Sequence, residues 1–357
     1  MERIGFYGPQ AERAAAQAIR PAKAAGVHVR AYRPEQSGDG ALASGAREFV
    51  ASHGALWSSQ AFWLEWATDV ALEALPPPEG AADLLVVATA EPRAGLADRW
   101  TDTAGLSIPQ DRFGRPGAVE KPMGPAPLRI AILGDERHHR EASPAPLARL
   151  GDAAERLGLD VLPVFITADS LRAQGLPAEI AGAILPGGSD MDQVSAQVKA
   201  ASLLLEDGRP AFGLCLGMQS QATELMRRGG WDEAMPEEVV GLGPERSFIR
   251  LRDANDTPLH RLGNACFTPQ AGSRLAALLP PETAVRMNHR YRLNPAYPSA
   301  QSNQAVFHVN AEDGIGDAIE VTGHPFFIGL QGHPEFGLGP PLARLWDAFL
   351  QACAQRG

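Results

Sequence analysis

The sequence predicts an α/β fold: a doubly wound, mostly parallel sheet of the flavodoxin-like kind, preceded by a smaller α/β domain. Short apolar runs alternate with segments of helical composition between residues 128 and 228, the pattern that parallel strands with crossover helices produce. A stretch rich in proline and glycine separates this region from an earlier β-α-β pattern. At 357 residues the chain is also longer than one ordinary core requires, so two globular units are expected.

From the start of the chain, Arg3 to Tyr7 has strand composition, the Ala-rich run Gln10 to Ala25 suits a helix, and Val27 to Tyr32 supplies a second strand. Ser59 to Leu75 reads as a helix with Phe62, Trp63, Trp66 and Val70 on one buried face, and Asp83 to Ala88 as a buried strand. Residues 1–105 are thus expected to form the small α/β domain. Residues 106–127, with Arg115-Pro116-Gly117 and Lys121-Pro122-Met123-Gly124-Pro125, lack periodicity and read as an interdomain linker.

Residues 128–357 form the larger predicted domain. Its strands are Leu128 to Leu133, Val161 to Ile166, Ile180 to Leu185 and Ala211 to Leu214, alternating with helices at Leu147 to Leu157, Ser195 to Leu205 and Leu216 to Arg227. Beyond Phe248 the pattern shortens, with strand candidates at Val306 to Val309, Ala318 to Val321 and Phe326 to Leu330, and a final helix at Pro341 to Ala354. Ligands of such a sheet bind at the carboxyl ends of its strands.

Composition narrows the chemistry. A formal net charge of −10 disfavours nucleic acid as a partner, because phosphate backbones are held by clustered Lys and Arg. The only lysines, Lys23, Lys121 and Lys199, lie outside any GxxxxGK phosphate loop. Cys215, Cys266 and Cys353 are odd in number and widely spaced, which suggests neither a disulfide framework nor a CxxC metal site and points to the reducing cytoplasm. Residues 1–20 carry scattered charges without an apolar core, and no run approaches 18 apolar residues, so neither an export signal nor a membrane partner is expected. Nothing in the residues asks for a cofactor or a metal, and nothing decides between a monomer and a homo-oligomer.

Arg209 to Gln219 reads RPAFGLCLGMQ. An apolar strand runs directly into Cys215, and helix-forming residues follow, so the thiol is expected on a sharp strand-to-helix turn. Gly213 and Gly217, two residues to each side, supply the small neighbours such a turn needs. A sulfur at a helix N-terminus is favoured as the anion by the free NH groups there, and the NH of Leu216 would point at an oxyanion formed on an attacked carbonyl. A lone cysteine in this setting is more often a buried core residue; two further segments change the balance.

The first is His324 to Phe336, HPFFIGLQGHPEF. If the segment is extended, residues two apart share a face, so Glu335 can hold the side of the His333 ring that is turned away from sulfur. The second is Ile184 to Asp190, ILPGGSD, at the carboxyl end of a predicted strand. Consecutive glycines let backbone NH groups approach a substrate closely and supply a second oxyanion donor. Alone, each segment is weak; in this order, each after a strand, they are specific.

Together the segments resemble the class I glutamine amidotransferases, and most closely the glutaminase domain of CTP synthase. The resemblance runs from about Leu128 to the C-terminus and includes PGG at Pro186 to Gly188, GLCLGMQ at Gly213 to Gln219 and HRYRLN at His289 to Asn294. It implies Cys215 as nucleophile, His333 as general base and acid, and Glu335 as its orienter. The oxyanion hole would come from Leu216 and a glycine of the Gly187-Gly188 pair, Gly188 in preference. It also implies Gln219, Glu238 (after a one-residue gap), Arg290 and Tyr291 as substrate contacts, with a guanidinium fork suited to a carboxylate. The expected substrate is glutamine or a glutamine-like small molecule, and the expected partner an ammonia-accepting synthase. Two departures, Ser189 where the family has an aromatic and Gly332 where it has a bulky residue, suggest a widened pocket and a nonstandard amide as the alternative. A non-catalytic glutamine-sensing module is the third reading, since a fold does not secure activity.

Other features read as structural. His138 and His139, flanked by Arg137 and Arg140, suit an exposed loop better than a metal site. Gly5 and Gly8 suit an ordinary βα turn, and Trp57, Trp63 and Trp66 suit core packing.

Overall fold

The computed structural model describes residues 1–36, 48–188, 190–297, 305–310 and 313–356. The chain begins with β1 (Glu2–Tyr7), α1 (Ala11–Ala24) and β2 (Val29–Tyr32), followed by the hairpin β3 (Glu48–Val50) and β4 (Leu56–Ser58). Next come α2 (Phe62–Thr68), β5 (Leu84–Thr89) and β6 (Arg99–Asp102). A parallel sheet in the order β2-β5-β1-β6 results. Central β5, Leu-Leu-Val-Val-Ala-Thr, is buried almost throughout, as a strand covered on both faces must be. Trp63, on α2, and Trp57, on β4, are fully buried.

The helix expected over 59–75 is much shorter. A 3₁₀ turn, Ser59–Ala61, leads into α2, which stops at Thr68. There Asp69 takes φ 55° and the Thr68 hydroxyl accepts the NH of Val70 at 3.2 Å. Such a side-chain bond competes with the helical ladder, so Val70 falls outside the helix.

Residues 106–127 pack along the molecule. Ile108 and Phe113 are buried, and Phe113 lies against Gly151. The buried Arg115 guanidinium meets Asp111 at 2.7 Å, Asp152 at 3.1 Å and Glu155 at 2.8 Å, which satisfies a charge that would be costly alone.

The larger sheet begins with β7 (Leu128–Leu133), α3 (Glu136–Glu141), α4 (Ala145–Leu157), β8 (Val161–Ile166), α5 (Ala168–Gln174) and β9 (Gly182–Leu185). It continues with α6 (Val194–Asp207), β10 (Ala211–Leu214), α7 (Leu216–Arg228), α8 (Glu237–Val240) and β11 (Phe248–Arg250). Then come β12 (Arg261–Phe267), α9 (Arg274–Leu278), β13 (Thr283–His289) and β14 (Tyr291–Leu293). The last elements are β15 (Ala305–Val309), β16 (Gly316–Val321), β17 (Phe327–Leu330) and α10 (Pro340–Ala354). Seven strands align as β15-β16-β17-β10-β9-β7-β8. The run from β17 to β8 is parallel, whereas β15 and β16 add an antiparallel edge. Leu214 pairs with Leu330 and Gly213 with Leu185, so the segments after β9, β10 and β17 emerge side by side.

His139 does not lie in an exposed loop. It sits in α3, almost completely buried, and its Nε2 donates to Leu133 O at 2.9 Å. Burial, reinforced by the neighbouring His138, pushes its imidazole down to about 4. Among the described residues no His, Cys, Asp and Glu side chains gather as metal ligands would. Nor is any described helix long and apolar enough to cross a membrane.

The sequence reading missed the β12–β13 hairpin, which joins the two halves. Asn264 NH donates to Ser52 O at 2.9 Å, and Phe336 and Ala148 share one core with Phe49, Trp57 and Phe62.

Candidate active site

Cys215 stands between β10 and α7 with φ 48° and ψ −106°, a conformation that a side chain adopts only under strain. The strain is held from both sides. Its NH donates to Leu330 O at 2.8 Å, and its carbonyl accepts Gln219 NH at 3.1 Å. The flanking glycines are obligatory: the place of a Gly217 Cβ is taken by Leu185 O, and that of a Gly213 Cβ by the Gln221 side chain. Helix geometry leaves the NH groups of Leu216 and Gly217 without intrahelical acceptors, beside the sulfur.

His333 meets the thiol from β17. Its Nδ1 lies 2.8 Å from Glu335 Oε1, and the Cys215 side chain is near enough to act on the ring electrostatically. All three side chains are buried. Burial alone would lower the imidazole, but the Glu335 carboxylate and the Cys215 sulfur outweigh it and push His333 up to about 10. The local reason differs from the sequence reading: the segment is not extended. Pro334–Phe336 forms a 3₁₀ turn, and this turn folds Glu335 back onto the ring.

Of the glycine pair, Gly187 is the one in evident contact. A Cβ there would lie 3.2 Å from Cys215 Cβ and 3.3 Å from His333 Cε1, so only hydrogen separates this backbone from both groups. The Gly187 backbone therefore borders the Cys215 and His333 side chains together. Ser189 lies outside the described residues. Gly332 does not widen a pocket: a Cβ there would lie 2.5 Å from Val285 Cγ1 and 2.9 Å from Arg286 O. Its missing side chain lets β13 pack against the His333 segment.

Neighbours that sequence reasoning did not single out complete the centre. Gln331 Nε2 donates to Cys215 Sγ at 3.7 Å, and Gln219 Nε2 to Gln331 Oε1 at 3.4 Å, which places Gln219 one side chain from the thiol. The thiol faces Asn288 O at 3.9 Å, and Phe336 stacks on the His333 ring with centroids 5.0 Å apart. Gln331 stood inside a quoted motif and could have been found by its position next to the strand end. Asn288 carried no local signal.

Glu238, Arg290 and Tyr291 form a second cluster with Arg250. Glu238 is on α8 with its side chain exposed, and partial desolvation raises its carboxyl against the pull of Arg250 and Arg290. The Arg250 guanidinium lies 5.2 Å over the Tyr291 ring. His289 connects the clusters: its Nδ1 donates to Tyr291 O at 2.8 Å, and burial, reinforced by nearby Arg261 and His333, pushes it down to about 3. It is therefore a neutral ring.

A thiol beside an imidazole that a carboxylate orients is the apparatus of nucleophilic acyl chemistry. The family model described as glutamine amidotransferase class-I matches residues 149–352, which contain all of these groups. The chain belongs to the class I glutamine amidotransferase family. It is 32% identical over 238 residues to the CTP synthase of Dehalococcoides mccartyi, a match spanning 62% of this chain and 43% of that protein. The CTP synthase of Thermus thermophilus is 30% identical over 234 residues, 60% of this chain and 42% of the relative. The chain thus spans less than half the length of these curated relatives. A solved structure of the Trypanosoma brucei CTPS glutaminase domain with bound acivicin superposes with a TM-score of 0.57 at 23% identity, covering 64% of this chain and 95% of that one. That likeness shows the amidotransferase fold.

Proposed function

We propose that this amidotransferase hydrolyses the side-chain amide of glutamine through a thioester on Cys215 and releases ammonia to a biosynthetic acceptor. The observation that carries the reading is the single buried array of Cys215, His333 and Glu335 beside the Gly187 backbone. The Cys215 thiol passes its proton to His333 and its sulfur attacks the amide carbon, and the developing oxyanion is met by the NH groups of Leu216 and Gly188. The carbon–nitrogen bond then breaks as His333 donates a proton to the leaving nitrogen, giving ammonia and a glutamyl thioester. Water gives a proton to His333 as it attacks the thioester; the carbon–sulfur bond breaks, His333 returns that proton to the sulfur, and glutamate leaves. Glu335 keeps the imidazole oriented throughout.

On this reading residues 128–357 are the amide-hydrolysing domain, with Gln219, Glu238, Arg290 and Tyr291 contacting the substrate. Ammonia passes to a partner synthase or to an acceptor held by residues 1–105. The names of the longer relatives describe whole enzymes; only amide hydrolysis is proposed for this chain. Ammonia release from glutamine, measured with the wild type and Cys215→Ala, tests the proposal. Loss of release in the variant is expected, and equal release by both proteins overturns it.

A further inference from the structure

We infer that the N-terminal unit is a working part of the active site, in which the buried Glu65–Arg286 pair positions the His333 imidazole against Cys215. The inference rests on the function proposed above and adds to it a role for Glu65 and its neighbours, which lie outside the family match.

Arg286 lies on β13, and its carbonyl accepts the His333 NH at 2.8 Å, the two residues forming an isolated β-bridge. Its side chain leaves the amidotransferase domain and ends in the N-terminal unit. There Nη2 donates to Glu65 Oε2 at 2.6 Å and Nη1 to Val50 O at 3.1 Å, while the guanidinium lies 5.2 Å over the Phe49 ring. The two charged side chains are 5% and 1% exposed. Glu65 is fixed in turn, because Oε1 accepts Leu72 NH at 2.7 Å.

A second contact reaches the imidazole face. Phe336 stacks on it at an interplanar angle of 20°. Phe49 meets Phe336 edge-on with centroids 5.0 Å apart, and Phe62 meets it at 6.4 Å. Residues of the N-terminal unit therefore bear on both the backbone position and the ring plane of His333, while Glu335 sets which nitrogen faces the sulfur.

A purely stabilising role accounts poorly for this pair. Removing two ions from water costs about as much as their attraction returns, and apolar replacements of similar volume are often no worse. In some proteins such a pair fixes one conformation, and this one sits a single hydrogen bond from His333. Glu65 and Arg286 are thus positioning residues.

Two variants of the full chain test this. Glu65→Gln keeps shape and drops charge; Glu65→Leu combined with Arg286→Met removes both charges and leaves neither orphaned. Glutamine hydrolysis is expected to lose roughly 10- to 100-fold in kcat, with KM changed by less than about threefold, as a displaced base demands. Iodoacetamide alkylation of Cys215 at neutral pH, followed by peptide mass spectrometry to separate it from exposed Cys266, is expected to slow most of the way to the rate of His333→Ala. Variants that melt like the wild type and keep its kcat and alkylation rate overturn the proposal. So does unfolding of both variants, which would assign the contact to stability alone. Alkylation needs no turnover, so it still decides the positioning role if the wild type proves not to hydrolyse glutamine.

Discussion

Gly187→Ala places one methyl group against both Cys215 and His333, beside the site proposed for the oxyanion. The added Cβ would sit 3.2 Å from Cys215 Cβ, 3.3 Å from His333 Cε1 and 3.5 Å from Leu214 O. Carbon atoms rest at about 3.5–4.0 Å, so Cys215 and His333 must each retreat by a few tenths of an ångström. The global cost is small, below about 1–3 kcal/mol, the usual range for overpacking. Catalysis is less forgiving. A misplacement of about 1 Å costs on the order of 100-fold, and productive geometry tolerates about 0.5 Å. Here both partners move and the methyl crowds the oxyanion site, so kcat is expected to fall about 10- to 100-fold. Thermal melting and glutamine-dependent ammonia release on the same preparation separate the two effects. A Gly187→Ala protein that melts like the wild type and retains kcat within about twofold would show that this backbone does not border the reacting atoms.

Two further outcomes follow from the same geometry. Glu335→Gln retains an acceptor for His333 Nδ1 but removes the charge that counters burial of the ring. Ammonia release at neutral pH should drop roughly 10²- to 10⁴-fold, by analogy with other orienting carboxylates, while the melting temperature changes little; a drop under about fivefold contradicts the orienting role. Buried His139 should make the protein acid-sensitive. Its folded-state value of about 4 lies below the ordinary 6.5, so the unfolded chain binds the proton first as pH falls. The contribution is therefore complete above about pH 6.5 and is lost progressively down to pH 4, amounting to about 3 kcal/mol. His289, pushed down to about 3, acts in the same direction. Chemical denaturation of the wild type and His139→Gln between pH 7 and 4 checks this; parallel loss in the two proteins would remove His139 as a cause.

What could be read from the residues was local. Val161–Ile166 and Ala211–Leu214 form strands because short, continuous apolar runs bounded by turn residues have few other ways to be buried. Cys215 announced its turn through Gly213 and Gly217 and the abrupt change from strand to helix composition. His333 and Glu335 are two residues apart, so their bond needs only one turn of backbone, although the turn proved to be 3₁₀ where an extended segment was expected. The helix beginning at Ser59 was overextended because Phe62 to Val70 keeps helical spacing past the point where Thr68 and Asp69 end the ladder.

By itself the sequence determined the amidotransferase architecture and the segments that carry Cys215, His333 with Glu335, and the glycine pair, since each is written within a dozen neighbouring residues. Tertiary structure decided that residues of the N-terminal unit pack against the His333 segment. Glu65 and Arg286 are 221 positions apart, and β12, Arg-Leu-Gly-Asn-Ala-Cys-Phe, has neither the alternation nor the apolar run that marks a strand. It decided too that Gly332 admits a neighbouring strand where a small residue had suggested an enlarged pocket. A missing side chain records only that space is needed there, and the three-dimensional packing alone shows which group takes it.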